Sequence, residues 1–81
     1  LGEPMDVQVL AFGPLAEKLG KREHTISLPP QCSVRFLLEE LELEDWLQLG
    51  LAIAVNGQKV GEDHALNESD EVALLPPVSG G

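Results

Sequence analysis

Only one stretch of the chain, Ser33 to Leu41, sets apolar residues at helical spacing behind a good N-cap. Val34, Leu37, Leu38 and Leu41 fall on one face. Ser33 offers a hydroxyl to the unpaired N–H groups of the first turn. Phe36 stands where a reciprocal capping box would need Glu or Gln, so the cap is one-sided. A lone short helix cannot bury such a face by itself, and the rest of the chain offers strands. Val7, Val9 and Ala11 alternate with Gln8, Leu10 and Phe12. Leu10 and Phe12 make the second face apolar too, which predicts a strand that is central or covered on both sides. Gly13 ends it, Pro14 suits the first position of a short helix carrying Leu15 and Leu19, and Gly20 suits its end.

Further strands are predicted over Thr25–Leu28, stopped by Pro29-Pro30, and over the apolar run Leu51–Val55. Asn56-Gly57 is a tight-turn signal, Gln58–Val60 the returning strand, and Asn67–Asp70 a turn cluster. Glu71–Leu75 is the last strand, with Val72 and Leu74 on one face and Pro76-Pro77 ending it. Glu39 to Gly50 reads two ways, as the end of the helix or as a second short turn carrying Trp46, Leu47 and Leu49. This order predicts an α+β class, a mixed sheet of four to five strands with one main helix packed across it. At 81 residues the chain bounds a single domain with a thin core.

The formal net charge of −9 excludes a phosphate-tracking surface and leaves an acidic carrier, or a partner of basic proteins. One Cys forbids an intrachain disulfide, and with two His there is no cluster to expect a metal from. Cys32 has two readings: a thiol activated by a helix N-terminus, or a small packed residue. His24 and His64 have no spacing of a metal site or a nucleophile relay. The serines sit in no nucleophile elbow, the glycines form no phosphate loop, and the acidic runs read as solvated faces. With no run as long as a membrane span and no leader pattern, a cytoplasmic chain is expected. Leu1–Pro4 fits no element, and Met5 reads as the natural start.

The terminus remains as the candidate for chemistry, the other reading of it being a frayed chain end. Pro76 to Gly81 reaches about 20 Å past the sheet when extended. Pro76-Pro77 stiffens its base, and Gly80-Gly81 has no Cβ, so the tip suits a channel too narrow for other residues. The α-carboxylate of Gly81 is ionised at neutral pH and is a poor electrophile. It needs activation, for example as an acyl-adenylate, and the active site for that must come from a partner.

The run from Asp70 through Leu74-Leu75-Pro76-Pro77-Val78-Ser79-Gly80-Gly81 resembles the ending of molybdopterin synthase small subunits. Val7–Glu17 is similar to that family's first strand and helix, and Leu51–Gly57 to its central strand and turn. The likeness spans Met5 to Gly81, although Phe12-Gly13 departs from the usual aromatic followed by Ala. It implies a β-grasp, ubiquitin-like sulfur carrier, with residues 1–5 a disordered or foreign leader, 6–76 the domain and 77–81 a flexible tail. It further implies that Gly81 is adenylated and becomes a thiocarboxylate, which donates sulfur for the dithiolene of molybdopterin.

The implied partners are the large synthase subunit, in a heterotetramer, an adenylating enzyme and a sulfur donor. Neither nucleic acid nor membrane is implied. No cofactor is expected on this chain, ATP being used by the adenylating partner, and catalytic side chains are expected on the large subunit. Gly80, Ser79, Val78, Pro77 and Pro76 would line the partner's channel, and Phe12, Leu10, Leu74 and Leu75 are candidates for part of an apolar docking surface, core packing being the other reading of each. Other readings are a sulfur carrier for thiamine or tRNA thiolation, a ubiquitin-like protein modifier, and an adaptor.

Overall fold

The computed structural model describes residues 3–77. The strands are β1 (Met5–Ala11), β2 (Glu23–Leu28), β3 (Ala52–Val55), β4 (Gln58–Val60) and β5 (Glu71–Leu75), with helices α1 (Pro14–Leu19) and α2 (Val34–Glu40). They form one five-stranded sheet in the order β2-β1-β5-β3-β4. β1 pairs antiparallel with β2 and parallel with β5, and β5 and β4 both pair antiparallel with β3. β1 is thus central, as its two apolar faces predict. Only one of those faces is covered, however. Met5, Val7, Val9 and Ala11 are buried, while Asp6 and Gln8 are exposed and Leu10 is half-buried. The strand also takes in Met5, which is 5% exposed, so the ordered domain begins one residue earlier than the boundary expected after residue 5. Its pairing with Leu28 fixes it there.

α2 lies across the inner face and buries Val34, Leu37 and Leu38 completely. Burial of each such side chain contributes about 1.5–3 kcal/mol. Every free donor of its first turn is used. Val34 N–H donates to His64 O (2.9 Å), Arg35 N–H to Glu62 O (2.8 Å) and Phe36 N–H to the Ser33 hydroxyl (3.2 Å). The last is the cap expected from sequence.

The ambiguous segment resolves as a helix end followed by a 3₁₀ turn, Glu44–Leu47. Leu43 N–H donates to Leu38 O (2.7 Å) and Glu42 N–H to Glu39 O (3.1 Å), the paired bonds of a Schellman motif. Its left-handed position is held by Glu42, at φ 59°, where glycine is the usual occupant. Replacing Glu42→Gly removes this backbone cost, and the urea unfolding free energy is expected to rise by about 0.5–1 kcal/mol.

The hairpin between β3 and β4 turns on Asn56 (φ 51°) and Gly57 (φ 86°), as a two-residue turn of this type requires. No helix among the described residues is long and apolar enough to cross a membrane.

Candidate functional site

β5 is the element that aims the terminus, and it is pinned at its start. The Asp70 carboxylate accepts from Asn56 Nδ2 (2.9 Å) and from Asn67 N–H (2.8 Å), and Asn56 Oδ1 accepts from Glu71 N–H (3.0 Å). Asp70 is 8% exposed, the one buried charged side chain among the described residues, and both its oxygens are satisfied. Its backbone carbonyl also accepts from Gln8 N–H (2.9 Å), tying the turn to β1. The strand therefore enters the sheet in a fixed register and leaves it at Leu75.

Exposed apolar residues stand next to the exit in sequence or across the sheet. Three large hydrophobic residues are exposed among those described, namely Phe12 (37%), Leu49 (62%) and Leu75 (40%). All three neighbour the base of the tail. Leu75 precedes Pro76, Phe12 precedes Gly13, whose backbone faces Pro76, and Leu49 precedes Gly50, whose backbone faces Pro77. On the sheet's outer face Leu10 is level with Ala73, which is level with Ala54. All three are half-buried, and this apolar strip runs between exposed Glu23, opposite Leu10, and Lys59, opposite Ala54.

The structure thus brings Leu10, Phe12 and Leu75 together at the exit, with Pro76 and Pro77 half-buried beside them. Leu74 does not belong with them. It is fully buried, because alternation along β5 turns Val72 and Leu74 inward and Leu75 outward. It is a core residue and offers nothing to a partner. Leu49 was missed from sequence, since it lay in the segment whose conformation was open. Val78, Ser79, Gly80 and Gly81 lie outside the described residues.

Cys32 takes the packed reading. Partial burial pushes its thiol above the ordinary value; its backbone hydrogen bond offsets part of this, and the charge of Glu40 adds a smaller rise. The nearby helix start has no spare donor to favour a thiolate. No group of His, Cys, Asp and Glu among the described residues is placed to hold a metal ion. A cavity of about 260 Å³ beside Arg35 shares no lining residue with the apolar collar. Its Arg35 is engaged by Glu62 (2.7 Å) and Glu39 (3.3 Å), which raise the guanidinium pKa still further.

A helix laid across a mixed sheet in the order 2-1-5-3-4, with the terminus leaving a central strand, defines a ubiquitin-like β-grasp domain. Residues 9–81 match the sequence profile of the ThiS family. The human molybdopterin synthase sulfur carrier subunit is 35% identical over 82 residues, covering 93% of this chain and 93% of its own. The chain belongs to the ThiS family, together with the molybdopterin synthase sulfur carrier subunits. Among solved structures, a chain from the complex of subunits 1 and 2 of molybdopterin-converting factor from Helicobacter pylori is 34% identical, with a TM-score of 0.62, covering 95% of this chain and 100% of that one. The small archaeal modifier protein 1 of Methanosarcina acetivorans is 26% identical, with a TM-score of 0.70 and coverage of 99% and 100%.

Proposed function

We propose that this chain is the sulfur carrier of a molybdopterin synthase and that Gly81 bears the sulfur. The observation that carries the reading is the apolar collar of Phe12, Leu49 and Leu75 around the base of the tail. A surface of that kind is fit to seat a partner at the point where the terminus must enter it.

In this reading an adenylating enzyme binds first. An oxygen of the Gly81 carboxylate attacks the α-phosphate of ATP, and pyrophosphate leaves. A sulfur donor equivalent to hydrosulfide then displaces AMP, leaving a thiocarboxylate. The collar next docks on the large subunit and the tail enters its channel; the terminal sulfur forms a C–S bond to a pterin precursor as part of the dithiolene, and water cleaves the acyl–sulfur bond, restoring the Gly81 carboxylate. Pro76 and Pro77 form the stiff base of the tail, and Gly80 lets the tip pass where a side chain would not. Catalytic side chains are supplied by the large subunit. The named relatives and the Helicobacter complex support the large subunit as partner. The chain's net charge of −9 favours basic surfaces around the docking site.

The test is the intact mass of the chain after incubation with ATP, a sulfur donor and a cognate adenylating enzyme. The expected result is replacement of one oxygen by sulfur, localised to the peptide ending at Gly81. An unchanged mass with a demonstrably active enzyme overturns the reading. A second reading, a protein modifier, is favoured by the likeness to the archaeal modifier. It shares the chemistry as far as the adenylate and predicts Gly81 joined to lysine in cell lysate.

A further inference from the structure

Four glycines with positive φ are described, and they divide into two kinds. Gly20 (φ 91°) and Gly57 (φ 86°) have open space where a Cβ would stand. They serve their turns and nothing else. Gly13 (φ 56°) and Gly50 (φ 103°) serve turns as well, but each also faces the base of the tail. A Cβ on Gly13 would lie 3.6 Å from Cγ of Pro76, an ordinary contact. A Cβ on Gly50 would lie 3.3 Å from Cβ of Pro77, a contact tight enough that one side must yield by a few tenths of an ångström.

Which side gives way follows from how each is held. Gly50 N–H donates to Leu47 O (3.3 Å), while Leu49 N–H and Leu51 N–H both donate to Trp46 O (3.0 Å each). Leu51 is buried, and Trp46 and Leu47 pack against the core. The loop carrying Gly50 is therefore anchored on both sides. Pro77 follows the end of β5 and is the freer of the two. Its ring fixes its own φ and leaves ψ as its one soft dihedral, so a displacement there is passed largely to the chain beyond it.

We propose that Gly50 is a positioning residue: with Gly13 opposite, it forms a side-chain-free seat for Pro76-Pro77 that sets the direction in which the tail leaves the domain. The proposal rests on the carrier reading for its consequence, the delivery of Gly81 to a partner's active site. It gives the segment from Glu42 to Gly50 a task that its sequence did not disclose. The seat touches the tail and no reacting atom, so it acts on geometry alone.

The experiment compares the full chain with Gly50→Ala and Gly57→Ala. Both substitutions force an L side chain into positive φ, so both lower the urea midpoint. Only the first meets the tail. The first readout is the residual dipolar coupling of the Val78 amide in the free chain. It is expected to change in Gly50→Ala and to keep its full-chain value in Gly57→Ala. The second is sulfur transfer with the large subunit. Gly50→Ala is expected to lose about ten- to a hundredfold in kcat with KM close to that of the full chain, while Gly57→Ala transfers normally.

An unchanged Val78 coupling in Gly50→Ala overturns the seat, whatever the sulfur chemistry shows. Equal losses of transfer in both variants overturn it too, because strain alone would then account for them. A parent chain that takes up no sulfur overturns the carrier reading and the delivery consequence with it, while the coupling still judges the seat. Should Gly50→Ala fail to fold, Pro77→Ala, which removes the ring that rests against Gly50, keeps the coupling test available. Unaltered Val78 coupling in that variant overturns the proposal.

Discussion

A chain lacking Gly80 and Gly81 takes up no transferable sulfur, while its unfolding midpoint stays at that of the full-length protein. The loss follows from reach. Two residues span about 7 Å, and a misplacement of only about 1 Å at a reacting centre costs on the order of a hundredfold. A carboxyl moved back to Ser79 lies well short of any site built for Gly81, and transfer is expected to fall by more than about a thousandfold. The unchanged midpoint follows from the core, whose last side chain in sequence order among the described residues is Leu74, and from the two residues removed carrying no side chain. Intact mass after the loading reaction and a thermal melt by circular dichroism check the two halves separately. Full activity in the truncated chain would favour an adaptor, whose work needs no terminal carboxyl.

The second large effect separates two adjacent leucines. Leu74→Ala is expected to cost about 2–4 kcal/mol of stability, because a fully buried side chain is removed from between β1 and β3. That is a large share of what a domain this size possesses, and the melting temperature should fall by about 10–20 °C. Leu75→Ala is expected to change stability by no more than about 0.5 kcal/mol, since the side chain is 40% exposed. It should instead weaken binding to the large subunit about tenfold or more, as truncation of an interface anchor does. Chemical denaturation and titration calorimetry on both variants distinguish the roles. Equal affinity of the parent and Leu75→Ala for the large subunit would remove Leu75 from the docking surface.

That pair also shows how far the fold and site were legible in the sequence. Strand alternation is a strictly local signal, so the inward set Val7, Val9, Ala11, Val72 and Leu74 could be read directly. By the same parity Leu74 never belonged with Leu75, and grouping them ignored the pleat. Ser33 and Asn56-Gly57 were legible because each acts through its own backbone neighbours. The end of α2 was not, because its left-handed residue is Glu42 and carries no glycine signal. Leu43, fully buried just beyond that turn, was hidden with it. Leu49 and Gly50 owe their place at the tail to the return of β5 beside β3, a long-range pairing that no local pattern encodes. Gly13 was legible as the end of a strand, but not as a neighbour of Pro76.

The position of β5 has a mechanical consequence. It is flanked on both sides, parallel to β1 and antiparallel to β3, and the chain runs on from its end through Pro76 and Pro77. A pull on Gly81 therefore does not peel an edge strand away one hydrogen bond at a time. It loads both ladders in shear, so that many bonds must yield together, with Asp70 and Asn56 clamping the far end of the strand. Rupture under such a load is governed by the unfolding rate rather than by equilibrium stability. A partner can thus grip the terminus and draw it taut while the domain at its other end stays folded.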